Sequence, residues 1–384
     1  MNIELKPIEQ QVVVVMGASS GIGRATALEF ARRGARVMVS ARSQEGLDSL
    51  VEQIRYAGGQ AEAVVADVTD FEDVQTVARR AAATFGRIDT WVHAAAVAIY
   101  ANFEQMTPEE FMQVIDVNLL GQVHGAMAAL PYLRQVGRGA LIHISSVESK
   151  RALPYHSAYA ASKHGIAGFV DALRLELMHE GVPISVTNIM PATINTPFFN
   201  KAKTKLGVEP KGQPPVYEPE QVAEAILYAA ENPVRDLIVG GAGKLMVWGQ
   251  AFAPSLMDSY MLATTFQGQR TNTPKSENAP NSLFAPIDEY NQVKGYQKQP
   301  SLPSRLYHQL QASSGLTTAV AGIALGAAAL WLTRSFTGGS QDENWQQQRM
   351  RLGNERWQPE AWQAQDIPIA VTATTEIYEF EGGY

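Results

Sequence analysis

The chain has 384 residues, of which 46% are apolar and 18% are charged, so it can bury a large core and is not globally disordered. Its net charge of −7 argues against nucleic acid as a partner, because a protein that binds nucleic acid needs a basic surface. The absence of cysteine excludes disulfides and thiolate catalysis, and the seven histidines show no metal-ligand spacing, so we predict no metal site.

Regular structure begins with a strand, a glycine turn and a helix. Residues 11–16 are rich in valine, residues 17–23 follow the spacing Gly-x-x-x-Gly-x-Gly, and the pattern beyond them is helical. Glycines in such a turn let the backbone approach a pyrophosphate, and the helix N-terminus offers N–H donors and a partial positive charge. The turn therefore predicts a dinucleotide site formed by Gly17, Ser19, Ser20, Gly21, Ile22, Gly23 and Arg24.

The second predicted strand, residues 35–41, is followed by Arg42. An acidic residue at this strand end would accept hydrogen bonds from the ribose hydroxyls of NAD, whereas arginine matches a 2′-phosphate. With Arg24 and Arg42 near the expected ribose, the sequence favours NADP(H) over NAD(H). The alternative is that both arginines are solvated surface residues.

Strands and helices continue to alternate along the chain. We predict strands at 61–66, 88–94, 140–145, 182–190 and 237–240, and helices at 71–85, 108–133, 156–179 and 218–231. Repeated strand–helix units form a parallel sheet with helices on both faces, so the predicted fold class is α/β, a doubly wound, Rossmann-like sheet. Ligands bind such sheets beyond the carboxyl ends of the strands, where Asp67 and Val68 would meet an adenine.

The helix predicted at 156–179 carries Tyr159 and Lys163, which are four residues apart and share one face. An ammonium beside a phenol favours the phenolate, so we expect the pKa of Tyr159 to lie below its ordinary value of about 10. A tyrosine tuned in this way exchanges a proton with a substrate oxygen near neutral pH. One turn beyond Tyr155 there is no cation, and the chemistry is therefore assigned to Tyr159.

Four features occur in order along the chain: the glycine turn, Asn118, Ser146 and the pair Tyr159 and Lys163. Together they resemble the short-chain dehydrogenase/reductase family over roughly residues 10–245. Ser146 stands thirteen residues before Tyr159, which is the family's usual separation and selects it over Ser145. The resemblance implies hydride transfer between a nicotinamide cofactor and an alcohol or carbonyl compound.

The resemblance also implies a role for each of the four predicted catalytic residues. Tyr159 would be the general acid/base, Ser146 would hydrogen-bond the substrate oxygen, and Lys163 would hold the nicotinamide ribose. Asn118 would anchor a water molecule in the proton relay. Taken singly, Asn118 could instead bond the backbone at a helix irregularity, and Ser146 could cap a turn.

The chain departs from the family pattern around the expected nicotinamide. Met16 replaces a usual threonine, residues 93–96 read His-Ala-Ala-Ala in place of Asn-Asn-Ala-Gly, and Pro191 is followed by alanine in place of glycine. These differences bear on cofactor affinity and geometry but touch none of the four predicted catalytic positions. The resemblance still places Ala94, Pro191 and Thr196 beside the cofactor.

Residues 198–217 stand where a lid over the substrate pocket is expected. Phe198 and Phe199 at its start indicate an apolar substrate. Lys201, Lys203 and Lys205 follow, and we interpret them as a solvated face rather than an anion site.

Composition divides the chain into four parts. Residues 1–250 are the predicted catalytic domain, 251–303 a polar linker or extension rich in Pro, Asn and Gln, 304–334 an apolar helix, and 335–384 a polar tail predicted to be disordered. Residues 315–333 carry no charge, and as a helix they would span about 28 Å, close to one bilayer core. This favours a membrane-spanning helix over the alternative, a soluble helix buried in a partner.

The N-terminus shows no signal-peptide pattern, so we expect a cytoplasmic catalytic domain, anchored to a membrane if the apolar helix inserts. The family's habit implies a homo-oligomer formed through the helices that carry Asn118 and Tyr159. The main hypothesis is an NADP(H)-dependent oxidoreductase that interconverts an alcohol with a ketone or aldehyde. The alternatives are a non-catalytic dinucleotide-binding scaffold and an epimerase or dehydratase on the same fold.

Overall fold

The structure, a computed structural model, describes residues 3–295. In chain order its strands are β1 (Val12–Met16), β2 (Arg36–Ala41), β3 (Gln60–Val65), β4 (Thr90–His93), β5 (Ile99–Tyr100), β6 (Gly139–Ile144), β7 (Ile184–Pro191), β8 (Lys203–Thr204), β9 (Val208–Pro210), β10 (Asp236–Val239) and β11 (Arg270–Pro274). Its α-helices are α1 (Gly21–Arg32), α2 (Gln44–Tyr56), α3 (Phe71–Phe85), α4 (Pro108–Ile115), α5 (Gly121–Val136), α6 (Ser157–His179), α7 (Phe198–Lys201), α8 (Pro219–Glu231), α9 (Gly241–Phe252) and α10 (Pro254–Gly268).

Seven of the strands form one sheet in the order β10-β7-β6-β4-β1-β2-β3, and every neighbouring pair in it is parallel. The predicted doubly wound, Rossmann-like sheet is thereby confirmed. The chain runs outward from β1 in one direction through β2 and β3, and then in the other direction from β4. The order therefore reverses between β1 and β4, which is where sheets of this class bind their ligands, beyond the carboxyl ends of the strands.

The sheet divides the core into two apolar layers. Alternate residues of β1 point to opposite faces, so Val13 and Val15 pack with α1, α2 and α8, whereas Val14 and Met16 pack with α3, α5 and α6. Every residue of β1 is buried. This explains why the strand is a continuous apolar run rather than an alternating one.

The long helix predicted at 108–133 is interrupted in the structure. Helix α4 begins at a capping box in which Thr107 accepts from the Glu110 amide and the Glu110 side chain accepts from the Thr107 amide. A π-helical turn, Asp116–Leu120, then joins α4 to α5 and carries Asn118. Such turns re-aim side chains within an otherwise continuous helix.

Residues 251–295 are more ordered than the polar composition predicted. The chain forms α10, and β11 then pairs antiparallel with β9. The following residues contact the main body, and Leu283 lies fully buried in the core layer of α3, α5 and α6. Leu283 and the buried Met261 of α10 thus help to fix a stretch whose other residues are mostly polar.

No helix within residues 3–295 is both long and apolar enough to cross a membrane. The predicted apolar helix at 304–334, with its candidate span at 315–333, and the predicted tail at 335–384 lie outside the described residues.

Candidate active site

Three of the four predicted catalytic side chains lie together at the carboxyl end of β6. Ser146 follows that strand, and its hydroxyl hydrogen-bonds the hydroxyl of Tyr159 from the first turn of α6. The Lys163 ammonium lies 5.3 Å from the centroid of the Tyr159 ring. It donates to the Ile144 carbonyl at 2.9 Å. A phenol, a hydroxyl and an amine therefore converge, as the spacing along the sequence predicts.

Asn118 supports this group from the π-helical turn. Its amide oxygen accepts from the Val97 backbone at 2.8 Å, and its amide nitrogen donates to the Val97 carbonyl at 3.0 Å. The same nitrogen donates to the Ser162 hydroxyl at 3.3 Å. The side chain thus fastens the loop after β4 to α6, which is the backbone-bonding alternative considered from the sequence.

The predicted lowering of the Tyr159 pKa is wrong for this structure. Burial raises the pKa of Tyr159 well above its ordinary value, the Glu148 carboxylate adds to that rise, and the Ser146 hydrogen bond opposes it. Burial also lowers the pKa of Lys163 to about 7, against a smaller opposing effect of Glu148. A lysine buried this deeply has lost much of the charge that was expected to favour phenolate.

The glycine turn lies beside this group, across the reversal of the strand order. Gly17 has a φ of 79°, and a Cβ on it would collide with the backbone of Ala95 in the loop after β4. A Cβ on Gly23 would collide with the Gly17 carbonyl oxygen. Ser20 precedes the first residue of α1, and Ser19 and Ile22 belong to the same turn. Only glycine at both positions permits this tight turn over the first helix.

The other predicted cofactor residues lie along the same edge of the sheet. Asp67 and Val68 follow β3, and the Ala94 amide donates to the Met16 carbonyl at 2.9 Å. Pro191 ends β7, and Thr196 lies beyond it with its side chain next to Gly21. The alanines that replace the family's usual residues are therefore compatible with this arrangement of the backbone.

Arg24 and Arg42, the two arginines predicted near the cofactor ribose, make different contacts. Arg24 is buried, and its guanidinium donates to the Gly46 carbonyl and the Ser49 hydroxyl, both at 3.1 Å, and to Gln53 at 3.2 Å. It braces α1 against α2 and is not the solvated residue of the alternative interpretation. The Arg42 guanidinium, in contrast, lies at the end of β2 with one nitrogen 3.8 Å from the Asp67 carboxylate.

A third cation, Lys201 at the end of α7, was not predicted. It is buried rather than solvated, and burial lowers its pKa to about 8. The nearby carboxylate of Asp288 opposes this shift, whereas the charges of Arg24 and Arg42 add to it. Lys201, Arg24 and Arg42 therefore form a group of cations near enough to influence one another, called here the cationic cluster.

The next two lysines along the chain make different contacts. Lys203 and Lys205 each lie 2.8 Å from the buried carboxylate of Glu110 in α4. Strand β8 also pairs with β5. The segment predicted as a lid is thus fastened to the body by ion pairs and by backbone pairing.

Comparison with known proteins agrees with this geometry. The family model for the short chain dehydrogenases matches residues 11–207. The uncharacterized oxidoreductase YxnA of Bacillus subtilis is 36% identical over 335 residues, which cover 85% of this chain and 93% of that protein. The chain belongs to the short-chain dehydrogenase family.

Other members share the catalytic domain of this short-chain dehydrogenase. The 3-oxoacyl-[acyl-carrier-protein] reductase FabG of Thermotoga maritima is 34% identical and spans 62% of this chain and 99% of its own length. Among solved structures, an alcohol dehydrogenase from Thermococcus sibiricus complexed with 5-hydroxy-NADP is 26% identical, with a TM-score of 0.53, 59% of this chain covered and 95% of its own. A short chain dehydrogenase from Mycobacterium paratuberculosis bound to NAD is also 26% identical, with a TM-score of 0.56 and coverages of 62% and 100%.

Two acid–base residues of this short-chain dehydrogenase were missed from the sequence. Glu148 and His156 form a buried pair in which His156 Nδ1 lies 2.9 Å from one carboxylate oxygen and 3.1 Å from the other. Glu148 stands two residues after Ser146, and His156 three residues before Tyr159. Their closeness to the predicted catalytic residues along the chain was the available signal.

A C-terminal strap, defined here as residues 281–295, was also missed. It crosses the edge of the sheet that carries the glycine turn and Arg42. The Gly21 amide donates to the Gln292 carbonyl at 2.9 Å, and the Arg42 guanidinium donates to the carbonyls of Ser282 at 2.6 Å and Phe284 at 3.2 Å. Two groups predicted for the cofactor are therefore in contact with the protein's own chain.

Proposed function

We propose that this short-chain dehydrogenase is an NADP(H)-dependent oxidoreductase that interconverts an alcohol with a ketone or aldehyde. The observation that carries the proposal is the convergence of Ser146, Tyr159 and Lys163 beside the glycine turn. Family membership supports the reaction class, because relatives are named as oxidoreductases and reductases.

The residues at the carboxyl edge of the sheet fit a nicotinamide dinucleotide. The backbone at Gly17 and Gly23 is too crowded for a side chain, and such a tight turn suits a pyrophosphate at the start of α1. The two solved relatives bind a derivative of NADP and NAD, respectively, so they support the cofactor class without choosing within it. Arg42 and the unpredicted Lys201 favour the extra phosphate of NADP(H). Bound there, the cofactor would donate or accept the hydride.

The chain's own residues would supply position and a proton. Ser146 would donate a hydrogen bond to the carbonyl oxygen, and Tyr159 would deliver its hydroxyl proton to that oxygen as negative charge develops. Burial raises the pKa of Tyr159, which keeps the phenol protonated and able to donate that proton when a carbonyl compound is reduced.

The choice of cofactor is tested by Arg42→Ser. We expect the Kd for NADPH to rise about 10- to 100-fold, because a charge-assisted bond to phosphate contributes about 1.5–3 kcal/mol. The Kd for NADH should change by less than about 3-fold, since NADH carries no 2′-phosphate. Fluorescence titration of both cofactors measures this, with the exposed α1 flank residue Arg33→Ser as the matched control. An equal loss for both cofactors would remove Arg42 from phosphate recognition.

The reaction is tested with a panel of ketones and aldehydes and NADPH, followed by cofactor absorbance. Steady consumption supports the oxidoreductase. A scaffold would bind NADPH without consuming it, and an epimerase or dehydratase would change the substrate with no net consumption. Mass spectrometry of the products separates the last two cases.

We also propose a homo-oligomer formed through α5 and α6. Met127 on α5 and Leu175 on α6 are 56% and 62% exposed, and Met178 is 59% exposed, so apolar side chains line the outer side of these helices. Replacing Met127 and Leu175 together with glutamate should therefore yield monomers in light-scattering measurements. Tyr56→Glu, at an exposed site on α2, should leave the oligomer unchanged. A wild-type monomer would end the proposal.

Membrane attachment through 315–333 stays a prediction. Fractionation of cells that express the chain with and without residues 304–384 tests it. The prediction requires the longer form in the membrane fraction and the shorter form outside it.

A further inference from the structure

A buried acid–base pair lies beside Tyr159 and has no role in the proposed proton transfer. Glu148 and His156 are each less than 10% exposed, and the ring nitrogen Nδ1 of His156 is held by both carboxylate oxygens. Glu148 is near enough to Tyr159 and Lys163 to influence the pKa of each. The pair therefore lies next to the predicted catalytic residues.

The other ring nitrogen of His156, Nε2, is buried and has no hydrogen-bond partner among the described residues. The ring lies among aromatic side chains, with its centroid 4.1 Å from that of Tyr100 and 5.4 Å from that of Tyr159. Phe198 packs on Tyr159 and Phe199 on Tyr100. A buried nitrogen without a partner is unfavourable, so a ligand that bonds it gains affinity.

The backbone before His156 is held in a rare conformation. Tyr155 has a φ of 67°, which is sparsely populated for a bulky side chain. Its carbonyl accepts from the Ala101 amide at 3.2 Å, and its ring packs on Phe266 of α10 at 5.2 Å. The Gln269 side chain donates to the Pro154 carbonyl at 3.0 Å. Surrounding structure therefore maintains strain at the residue that places His156, a pattern found where a side chain must be aimed at a ligand.

We propose that His156 determines substrate specificity by hydrogen-bonding, through Nε2, a second oxygen-bearing group of the substrate. Glu148 orients the ring by holding Nδ1. This proposal rests on the proposed function and narrows it: the substrate is a carbonyl compound with a further hydroxyl, carbonyl or ester oxygen near the reacting carbon. The aromatic side chains around it would cover the apolar remainder of that substrate.

The experiment compares ketones that differ in the second oxygen. Acetoin and ethyl acetoacetate carry it, and butanone lacks it. For His156→Leu we expect kcat/KM for the better oxygen-bearing ketone to fall about 10- to 100-fold, with less than about 3-fold change for butanone. The matched control is His164→Leu, which removes an exposed histidine from α6, the helix that His156 precedes. This control should leave the preference between ketones unchanged.

A second variant distinguishes a loss of substrate preference from misfolding. Glu148→Gln keeps a side chain that can hold Nδ1 but removes the charge, and it should reduce the same preference by a smaller factor. Thermal melting and the Kd for NADPH report whether each variant is folded. If wild type reduces these ketones and His156→Leu alters both kinds equally, the proposal is wrong while the proposed function stands. If wild type binds NADPH but reduces no ketone, both fail.

The C-terminal strap makes a second set of contacts, which is independent of those around His156. Its Asp288 accepts from the Ser43 hydroxyl at 2.7 Å, and its Asn291 donates to the same hydroxyl at 3.1 Å. Asn291 also accepts from the Lys201 ammonium at 3.2 Å. The Gly295 amide donates to the Asn195 carbonyl at 3.3 Å. Together with the bonds to Gly21 and Arg42, the strap joins the ends of β1, β2 and β7.

We infer, on the basis of the proposed cofactor site, that the strap competes with the adenosine half of the cofactor for Gly21 and Arg42 and must be displaced before the cofactor binds. The elements that it joins are those proposed to hold the dinucleotide, and Lys201 links the strap to the cationic cluster. The solved relatives cover 59% and 62% of this chain, whereas YxnA covers 85% of it. The strap is thus beyond what the shared catalytic domain requires.

Stopped-flow mixing with NADPH tests the strap. Asp288→Asn together with Asn291→Ala should raise the NADPH association rate at least about 10-fold, because association is slow when binding requires a conformational change. Glu289→Gln, an exposed neighbour of Asp288, is the charge-matched control and should keep the wild-type rate. Leu283→Ala, which removes the buried anchor, should act like the double variant, and Phe284→Ala, at a 53% exposed side chain, should not. Unchanged association in both strap variants would overturn the inference.

Discussion

Replacing Tyr159 with phenylalanine should lower kcat for ketone reduction by at least about 1,000-fold, because general acid catalysis typically contributes about 100- to 10,000-fold. The ring would still pack against Phe198, so the fold and the aromatic pocket should persist. We expect the Kd for NADPH to change less than about 3-fold, since the variant loses a proton donor rather than the dinucleotide turn. Steady-state kinetics and a fluorescence titration on the same preparation measure both quantities.

The control for this change is Tyr228→Phe, which removes a hydroxyl from an exposed tyrosine on α8. It should behave as wild type. Turnover of Tyr159→Phe within about 10-fold of wild type would show that another group delivers the proton. The buried Glu148–His156 pair would then be the next candidate.

Replacing Lys163 with methionine should have two opposite effects, a loss of turnover and a gain of stability. Turnover should fall at least about 100-fold, because the amine is proposed to hold the nicotinamide ribose and to lie beside the phenol. The free energy of unfolding should rise by about 1–3 kcal/mol near neutral pH, because burial of a protonated lysine is unfavourable and methionine has a similar length. Loss of the bond to the Ile144 carbonyl offsets part of this gain.

The gain in stability should depend on pH in a defined direction. The pKa of Lys163 falls from 10.5 to about 7 on folding, so between these values the unfolded chain binds more protons than the folded one. The free energy of unfolding of the wild type therefore rises with pH across that window. Below about pH 7 the lysine is charged in the folded state too, and the full penalty for burying that charge applies. The advantage of Lys163→Met should be largest at neutral and lower pH and shrink toward pH 10. Urea unfolding at several pH values measures it, with the exposed Lys150→Met as the control.

Much of the fold could be predicted from the local pattern of residues in the sequence. The valine run of β1, the glycine turn and the repeated strand–helix units are each determined by neighbours along the chain, and they predict the sheet that is observed. Tyr159 and Lys163 were also predictable as a pair, because a helix brings residues four apart onto one face. Ser146 joined them through the family's separation rather than through any local rule.

What could not be predicted depends on burial and on contacts distant in the chain. The Tyr159 pKa moved opposite to expectation because desolvation outweighs a neighbouring amine that is itself desolvated. Arg24 looked like a phosphate ligand until α2 supplied three acceptors for it. The strap has a polar composition typical of linkers. Its position depends on the burial of Leu283 and on hydrogen bonds from other strap residues to residues more than two hundred positions away in the chain.

The central claim is that hydride passes between a nicotinamide and a substrate carbon at the site of Tyr159. The direct measurement is reduction of an oxygen-bearing ketone with NADPH deuterated at the transferable position of the nicotinamide, followed by mass spectrometry and NMR of the alcohol. The account predicts one deuterium on the new carbinol carbon for each cofactor consumed, and no such product from Tyr159→Phe. Tight binding of the labelled cofactor with no deuterium transferred to any ketone in the series would contradict it.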